Sequence, residues 1–375
     1  MIVDSALTIS LLTCSPGNQV YELYGHTALR VLSPNTGLDK VYNYGAFDFN
    51  APHFLWRFIL GDCDYMLYPS PMDFFIDEYR RRGSEVVEQV LNLTPYEAAF
   101  IADSLERKSL PENRVYHYNI FRDNCTTMAR DLIEGCLNGV MIYPVHRPRN
   151  SFRSILYQFT GEHLWAREGN DLLLGADVDT LIHERDEMFS PIYLMNYMDS
   201  AVYHAGIHRY KPIVRERRVI VPGNPALLKA TAEGGSLLPS PAVCGWGLLV
   251  LGLLLALWEW HRRRILWPVD VVLMTLQGLA GLLLVFMALF SQHPGLSSNW
   301  QVWVLNPVPL FFIYSVAKAD IRRQSCIYHT LAAGILGLFV VLYAFLPQHF
   351  SQLILPLALL LLSRALVHLA VFKQK

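Results

Sequence analysis

Beyond about Pro239 charged residues almost disappear over stretches long enough to cross a bilayer, and nothing else in the chain limits its fold as strongly. Backbone polar groups in hydrocarbon must satisfy one another, so apolar runs of about 20 residues can only be helices or walls of a closed barrel. Candidate spans cover about Ala242 to Trp258, Ile265 to Phe290, Val302 to Val316, Cys326 to Leu346 and Leu353 to Phe372. Asn306-Pro307 and Pro309 interrupt the third, which makes it the weakest. The first 239 residues instead mix charged, aromatic and turn residues as an aqueous domain does. The chain therefore divides into an N-terminal domain over 1–239 and an all-α polytopic membrane domain of about five helices over 240–375.

Short loops carry the orientation signal. His261-Arg262-Arg263-Arg264 follows the first span, Lys318 and Arg322-Arg323 follow the third, and Lys373 and Lys375 follow the fifth. Ser291 to Gln301 and Pro347 to Gln352 contain no Lys or Arg. Basic loops stay in the cytoplasm, which puts the N-terminal domain on the outer side, the periplasm of a bacterium whose inner membrane holds the spans. Such a domain needs an export signal, and Met1 to Ser10 has neither a basic n-region nor an apolar h-region; the expectation is that a signal peptide has been removed. A formal net charge of -1, with no basic blocks interleaved with aromatics, excludes nucleic acid as the partner class.

Within the N-terminal domain, short strands are expected at Ala6 to Thr13, Thr27 to Ser33, Lys40 to Phe49, Tyr65 to Tyr68 and Glu85 to Leu93, separated by turns such as Ser15-Pro16-Gly17-Asn18. Thr94 and Pro95 read as N-cap and first residue of a helix to about Lys108. A strand near Val115 to Ile120 leads into a second helix. From Ser151 to Ala205 the pattern is helical, broken at Gly161, Gly169 and Gly175. Val214 to Pro225 returns to a strand, and Gly234-Gly235-Ser236 links to the membrane.

The second helix carries the chemistry. Apolar residues at Cys125, Met128, Ala129, Leu132, Ile133 and Cys136 keep helical spacing up to Asn138-Gly139, so Cys125 falls in the first turn. A helix N-terminus stabilises a thiolate, and its unpaired N–H groups can hold an oxyanion. His26, after Gly25 at the start of a strand, is the candidate base. Asp48 is the first choice to orient the imidazole and Asn43 the second. A buried, inert Cys125 and a half-buried structural His26 are the competing readings. Cys14, Cys63, Cys125 and Cys136 would meet an oxidising compartment, with the pairing open. No CxxC, HExxH or EF-hand spacing points to a metal, and His204 with His208 lacks a third ligand nearby. Arg80-Arg81-Arg82 could meet a phosphate head group or simply form a solvated face.

Tyr24 and Asn124 flank the two reactive residues and are assigned to substrate binding. His293, Asn299 and Asn306 lie in or beside an outer loop. Polar residues at that depth either line a substrate groove or form an interfacial belt, and the groove adds these three to the substrate-binding set.

Several motifs resemble a known family: Ile9-Ser10-Leu11-Leu12-Thr13-Cys14-Ser15-Pro16-Gly17, Tyr24-Gly25-His26-Thr27-Ala28-Leu29-Arg30, Tyr42-Asn43-Tyr44-Gly45-Ala46-Phe47-Asp48-Phe49 and Asp123-Asn124-Cys125-Thr126-Thr127. The order histidine then cysteine resembles permuted papain-like thiol enzymes of the lecithin retinol acyltransferase class. The four motifs together resemble the Lnb-type lipoprotein N-acyltransferases of Bacteroides and relatives. That resemblance implies an α+β permuted papain-like domain followed by the membrane domain. It also implies acyl transfer from a phospholipid, through a Cys125 thioester, to the α-amino group of a diacylated lipoprotein, with no cofactor. A membrane-bound lipid or amide hydrolase with the same Cys–His pair, and a non-catalytic binding module, are the alternatives.

Overall fold

The computed structural model describes residues 4–47, 52–62, 64–161, 163–204, 210–231 and 239–372. It contains two compact units, Met1–Phe159 with Leu181–Gly235 and Gln292–Pro294, and Thr160–Thr180 with Ser236–Ser291 and Gly295–Lys375. Asp48, Cys63, His208 and the linker at 234–236 lie outside the described residues.

The strands of the first unit are β1 (Thr8–Cys14), β2 (His26–Ser33), β3 (Leu38–Ala46), β4 (Asp64–Pro71), β5 (Val86–Leu91), β6 (Val115–His117), β7 (Val140–Ile142), β8 (Val202–His204), β9 (Tyr210–Pro212) and β10 (Val214–Val221). Its helices are α1 (Phe54–Leu60), α2 (Met72–Arg82), α3 (Pro95–Ser109), α4 (Cys125–Cys136) and α5 (Phe152–Phe159). After α6 (Leu164–Leu173), which belongs to the second unit, α7 (Glu184–Glu187), α8 (Pro191–Ser200) and α9 (Pro225–Thr231) return to the first. Antiparallel strands in the order β10-β5-β1-β2-β3-β4-β6 make the main sheet, and β7-β8-β9 a small second one.

Successive side chains of a strand point to opposite faces, and both faces of β1 are covered. Ile9 and Leu11 join Leu29, Val31 and side chains of α3, α4 and α8 on one face. Leu12 and Cys14 join Ala28, Val41 and Met72, Phe75 and Tyr79 of α2 on the other. Burial on both faces is why this strand lacks charged residues and shows no alternation of exposed and buried positions. The expected cap at Thr94 is present: Glu97 N–H donates to Thr94 Oγ1 at 3.3 Å, and Thr94 N–H to Glu97 Oε2 at 2.8 Å. Three helices escaped the sequence reading, α9 after the expected strand at Val214 and two others. α2 fills the gap between β4 and β5, packing Met72, Phe75 and Tyr79 inward. α1 is a short helix whose apolar side chains stay largely outside. Gly169, expected to break a helix, lies within α6.

Among the described residues of the second unit four helices are long and apolar enough to cross a membrane: α10 (Pro241–Arg262), α11 (Trp267–Phe290), the Trp300–Ile321 segment that ends in α12 (Val308–Ile321), and α14 (Ile354–Phe372). The fourth candidate span becomes the shorter apolar helix α13 (Ile327–Leu342). The length deficit therefore falls on the fourth span, and the third keeps its length despite its prolines.

Residues 160–180 precede the linker in sequence yet pack within the membrane unit. The carbonyls that end α6 account for this, because a helix C-terminus leaves acceptors unsatisfied. Gln301 donates to Asp171 O at 2.6 Å, Asn299 to Leu172 O at 2.8 Å and Gln348 to Leu174 O at 3.2 Å. Glu168 of α6 accepts from Gln352 N–H at 3.0 Å and Leu353 N–H at 3.3 Å, a carboxylate at the N-terminus of α14.

Candidate active site

His26 opens β2, and a tight backbone places it there. Gly25 has φ +75°, and a Cβ at that position would lie 2.6 Å from the Cys14 carbonyl oxygen. Only glycine meets both conditions without strain. Gly25→Ala is therefore expected to cost about 1–3 kcal/mol through the left-handed backbone. The collision with Cys14 adds to that cost. Chemical denaturation measures it, and a native midpoint would show that the β1–β2 turn relaxes freely.

Cys125 is the first residue of α4. The helix is held against β2 by Thr27 Oγ1 and Thr126 Oγ1, 3.1 Å apart and buried. The Cys125 thiol lies 3.7 Å from the Thr126 hydroxyl, and His26 and the Thr27 N–H act on it electrostatically. His26 Nε2 lies 3.3 Å from Asn43 Oδ1, an acceptor, so Nε2 carries the proton and Nδ1 is the nitrogen left for the thiol. Asn43 Nδ2 donates to Ser70 Oγ at 3.3 Å, which orients the amide. Ala28 opposes Asn43 across β2 and β3, so Asn43 is one same-face step from His26 on the neighbouring strand. Gly45 completes the floor. Its φ is +103°, the β3–β4 register shifts around it, and a Cβ at that position would have Cys125 Cβ as its nearest neighbour, at 3.9 Å. Its missing side chain leaves the space beside the thiol open.

The electrostatics favour an ion pair. Burial opposes a charged His26, but the Cys125 charge and hydrogen bonds to Cys125 and Asn43 outweigh it and raise the imidazole above its ordinary value. Burial likewise opposes the thiolate. The imidazolium charge, its hydrogen bond and those from Thr27 and Thr126 prevail and lower Cys125 below the usual thiol range. Cys14 and Cys136 go the other way, both pushed up by burial. The nucleophilic form of Cys125 thus persists to lower pH than that of either neighbour.

His26→Ala removes the cation and leaves burial as the main influence on the thiol. Iodoacetamide labelling of Cys125, read by peptide mass mapping, is expected to slow at pH 7 and recover only at higher pH. An unchanged pH profile would show that His26 does not activate the thiol.

The other sequence-selected residues have different fates. The orienting residue placed in the described structure is Asn43, the second choice, while Asp48 lies outside the described residues. Arg30 is bound to Asp39 at 2.7 Å and Glu88 at 3.0 Å. Asn124 is buried as the N-cap of α4: its Oδ1 accepts from Thr126 and Thr127 N–H at 2.8 and 2.9 Å, and its Nδ2 donates to the Ile120 and Phe189 carbonyls. This cap also consumes two of the expected oxyanion donors. Among the described residues, the Cys125 N–H is the first-turn donor left free. Tyr24 packs edge-on against Phe159, with centroids 6.3 Å apart. His293 Nε2 lies 2.7 Å from the Phe58 carbonyl. Asn299 holds the end of α6, and Asn306 closes the turn before α12 by accepting from Val308 N–H at 3.2 Å. The polar side chains of the outer loop therefore serve local structure. Ser70 and Gly45 escaped the sequence reading; Gly45, a glycine amid strand residues, was the available signal for a bulge.

Residues 3–157 match the family model described as the Lnb N-terminal periplasmic domain, and residues 233–375 match that of the Lnb transmembrane domain. No curated protein and no solved structure matches the chain.

Proposed function

Because the chain belongs to the Lnb family, with a periplasmic domain followed by a transmembrane domain, we propose that it is a thioester-forming N-acyltransferase of the bacterial inner membrane. It moves an acyl chain from phospholipid to the α-amino group of the lipidated N-terminal cysteine of a diacylated lipoprotein. The single observation that carries this reading is the grouping of Cys125 with His26, whose charges act on each other, and of His26 with the hydrogen-bonded pair Asn43 and Ser70. It is the nucleophile, base and orienting-amide arrangement of papain-like thiol enzymes.

His26 Nδ1 takes the Sγ proton, and the thiolate adds to the ester carbonyl of the phospholipid. The Cys125 N–H is positioned to donate to the oxyanion. As the C–O bond breaks, the lysophospholipid oxygen receives the proton from His26, leaving an acyl thioester. The lipoprotein amine then attacks the thioester and His26 accepts its proton. The C–S bond breaks, the thiolate returns and the amide leaves. A double displacement lets two membrane-bound substrates use one site in turn.

A lipid substrate is supported by α1, where Leu55, Trp56 and Phe58 are 70%, 54% and 45% exposed. A cluster of large apolar side chains on a short helix suits a lipid surface better than water. In the same unit the Gln292 N–H donates to the Leu60 carbonyl at 2.7 Å, and Gln292 follows the end of an apolar helix at Phe290 by two residues.

Intact-protein mass spectrometry after incubation with a diacyl phospholipid tests the reading. The expected result is a hydroxylamine-labile adduct of one acyl chain that is discharged by a diacylated lipopeptide amine. Free fatty acid with no amide would make the protein a hydrolase, and neither product would sink the acyl-transfer reading. Asn43→Ala is expected to lower the acylation rate about 10²-fold by releasing the imidazole from its working geometry. A rate within twofold of native would remove Asn43 from the site.

A further inference from the structure

The membrane unit gathers six ionisable side chains near one end of its helices. Arg364 of α14 bonds Glu259 of α10 and grips Asp270 of α11 through Nε–Oδ1 and Nη2–Oδ2 contacts of 2.8 Å each. Asp270 Oδ2 also accepts from His368 Nε2 at 3.0 Å. The His368 ring stacks on His329 of α13 with centroids 3.8 Å apart. Its other nitrogen, Nδ1, lies 3.0 Å from Asp320 Oδ1 of α12.

Polar atoms in this group are left over. Among the described residues His368 Nδ1, His329 Nε2 and both Asp320 oxygens have no hydrogen-bond partner. Their side chains are nonetheless buried, with His368 1%, His329 4% and Asp320 7% exposed. The 3.0 Å approach of Nδ1 to Asp320 is off the line that an N–H···O bond requires. One donor atom from each of the three residues lies within 4.8 Å of the others.

We propose that Asp320, His329 and His368 bind a divalent transition-metal ion, zinc in the first instance. Three observations converge on it. Asp270 holds the Nε2 proton of His368, which leaves a lone pair on Nδ1 beside the Asp320 carboxylate but not aimed at it; an outer carboxylate fixing a histidine tautomer is the usual support of a metal ligand. Tetrahedral ligands with bonds of about 2.0–2.1 Å stand roughly 3.3 Å apart, close to the Nδ1–Oδ1 separation, and need not lie in line with each other. Charge closes the argument. Glu259, Asp270 and Asp320 carry three negative charges against one on Arg364, and a divalent ion with neutral imidazoles brings the group to zero where net charge is costly. Two imidazoles and a carboxylate suit zinc and leave a fourth position for water or another ligand. The ion would join α12, α13 and α14 to each other and, through Asp270 and Arg364, to α10 and α11. Because the ligands come from three helices, no local spacing announces them.

The test is metal analysis of the full chain in detergent, purified without metal-affinity resin. The native protein is expected to hold about one zinc per chain, and Asp320→Asn or His329→Gln to hold less than about a tenth as much while remaining monodisperse. Native protein that holds no metal even after equilibration with micromolar zinc would overturn the proposal. So would variants that retain the full equivalent. Should both variants fail to fold, chelator-stripped native protein decides: zinc must raise its Tm with saturation near one equivalent, and no rise overturns the site. Acyl transfer is not the readout, so the outcome is independent of the proposed function.

Discussion

Cys125→Ala is expected to lose lipoprotein acylation by about 10⁴–10⁶-fold while the chain still folds and inserts. The size follows from what the thiol does. In the proposed mechanism it carries the acyl group between donor and acceptor, so its removal deletes the intermediate and not merely a contact. The fold should tolerate the change. Cys125 is half-buried at the edge of the core, and the cap on α4 is made by Asn124, Thr126 and Thr127. Cell-free N-acylation and the mass of the acyl adduct, measured together, check the prediction. Retained N-acylation in the variant would eliminate the thioester route. A loss accompanied by aggregation would not count, which is why monodispersity belongs in the same experiment.

Arg364→Leu is expected to produce the largest stability loss in the membrane unit, about 3–5 kcal/mol. Arg364 is buried against two carboxylates that are themselves buried, Glu259 and Asp270. Removing one member of a buried charge group leaves the remaining charge uncompensated, and in a bilayer no water is at hand to solvate it. Glu259 also accepts the Leu266 N–H at 2.7 Å, so its displacement would reach the turn between α10 and α11. Unfolding in mixed micelles reads the loss. The compensated variant, Arg364→Leu with Glu259→Gln and Asp270→Asn, should recover most of it, because no charge is then left alone. A single variant within about 0.5 kcal/mol of native would mean that the group is solvated and the cluster is open to water.

Much of the candidate site could be read locally. Cys125 stands at a helix N-terminus because helical periodicity starts there and Asn124 caps it, both short-range properties. His26 begins a strand because Gly25 alone fits the backbone that precedes it. Placing Asn43 beside the imidazole was beyond local reasoning, because only the pairing of β2 with β3 brings its side chain there. Asn124 and Asn299 show the reverse limit. Their positions suggested substrate contacts, and only the tertiary structure reveals their hydrogen bonds to distant carbonyls.

The division into an aqueous and a membrane part, the orientation of the spans, and the places of His26 at a strand start and Cys125 at a helix start were legible in the sequence alone. Run length, loop charge and periodicity act over a few residues and need no knowledge of the rest of the chain. The tertiary structure decided the orienting amide, the attachment of residues 160–180 to the membrane helices and the meeting of Asp320, His329 and His368. Each depends on strand register or on which helices pack together. Those are set by burial summed over whole faces, so no single stretch of sequence contains them.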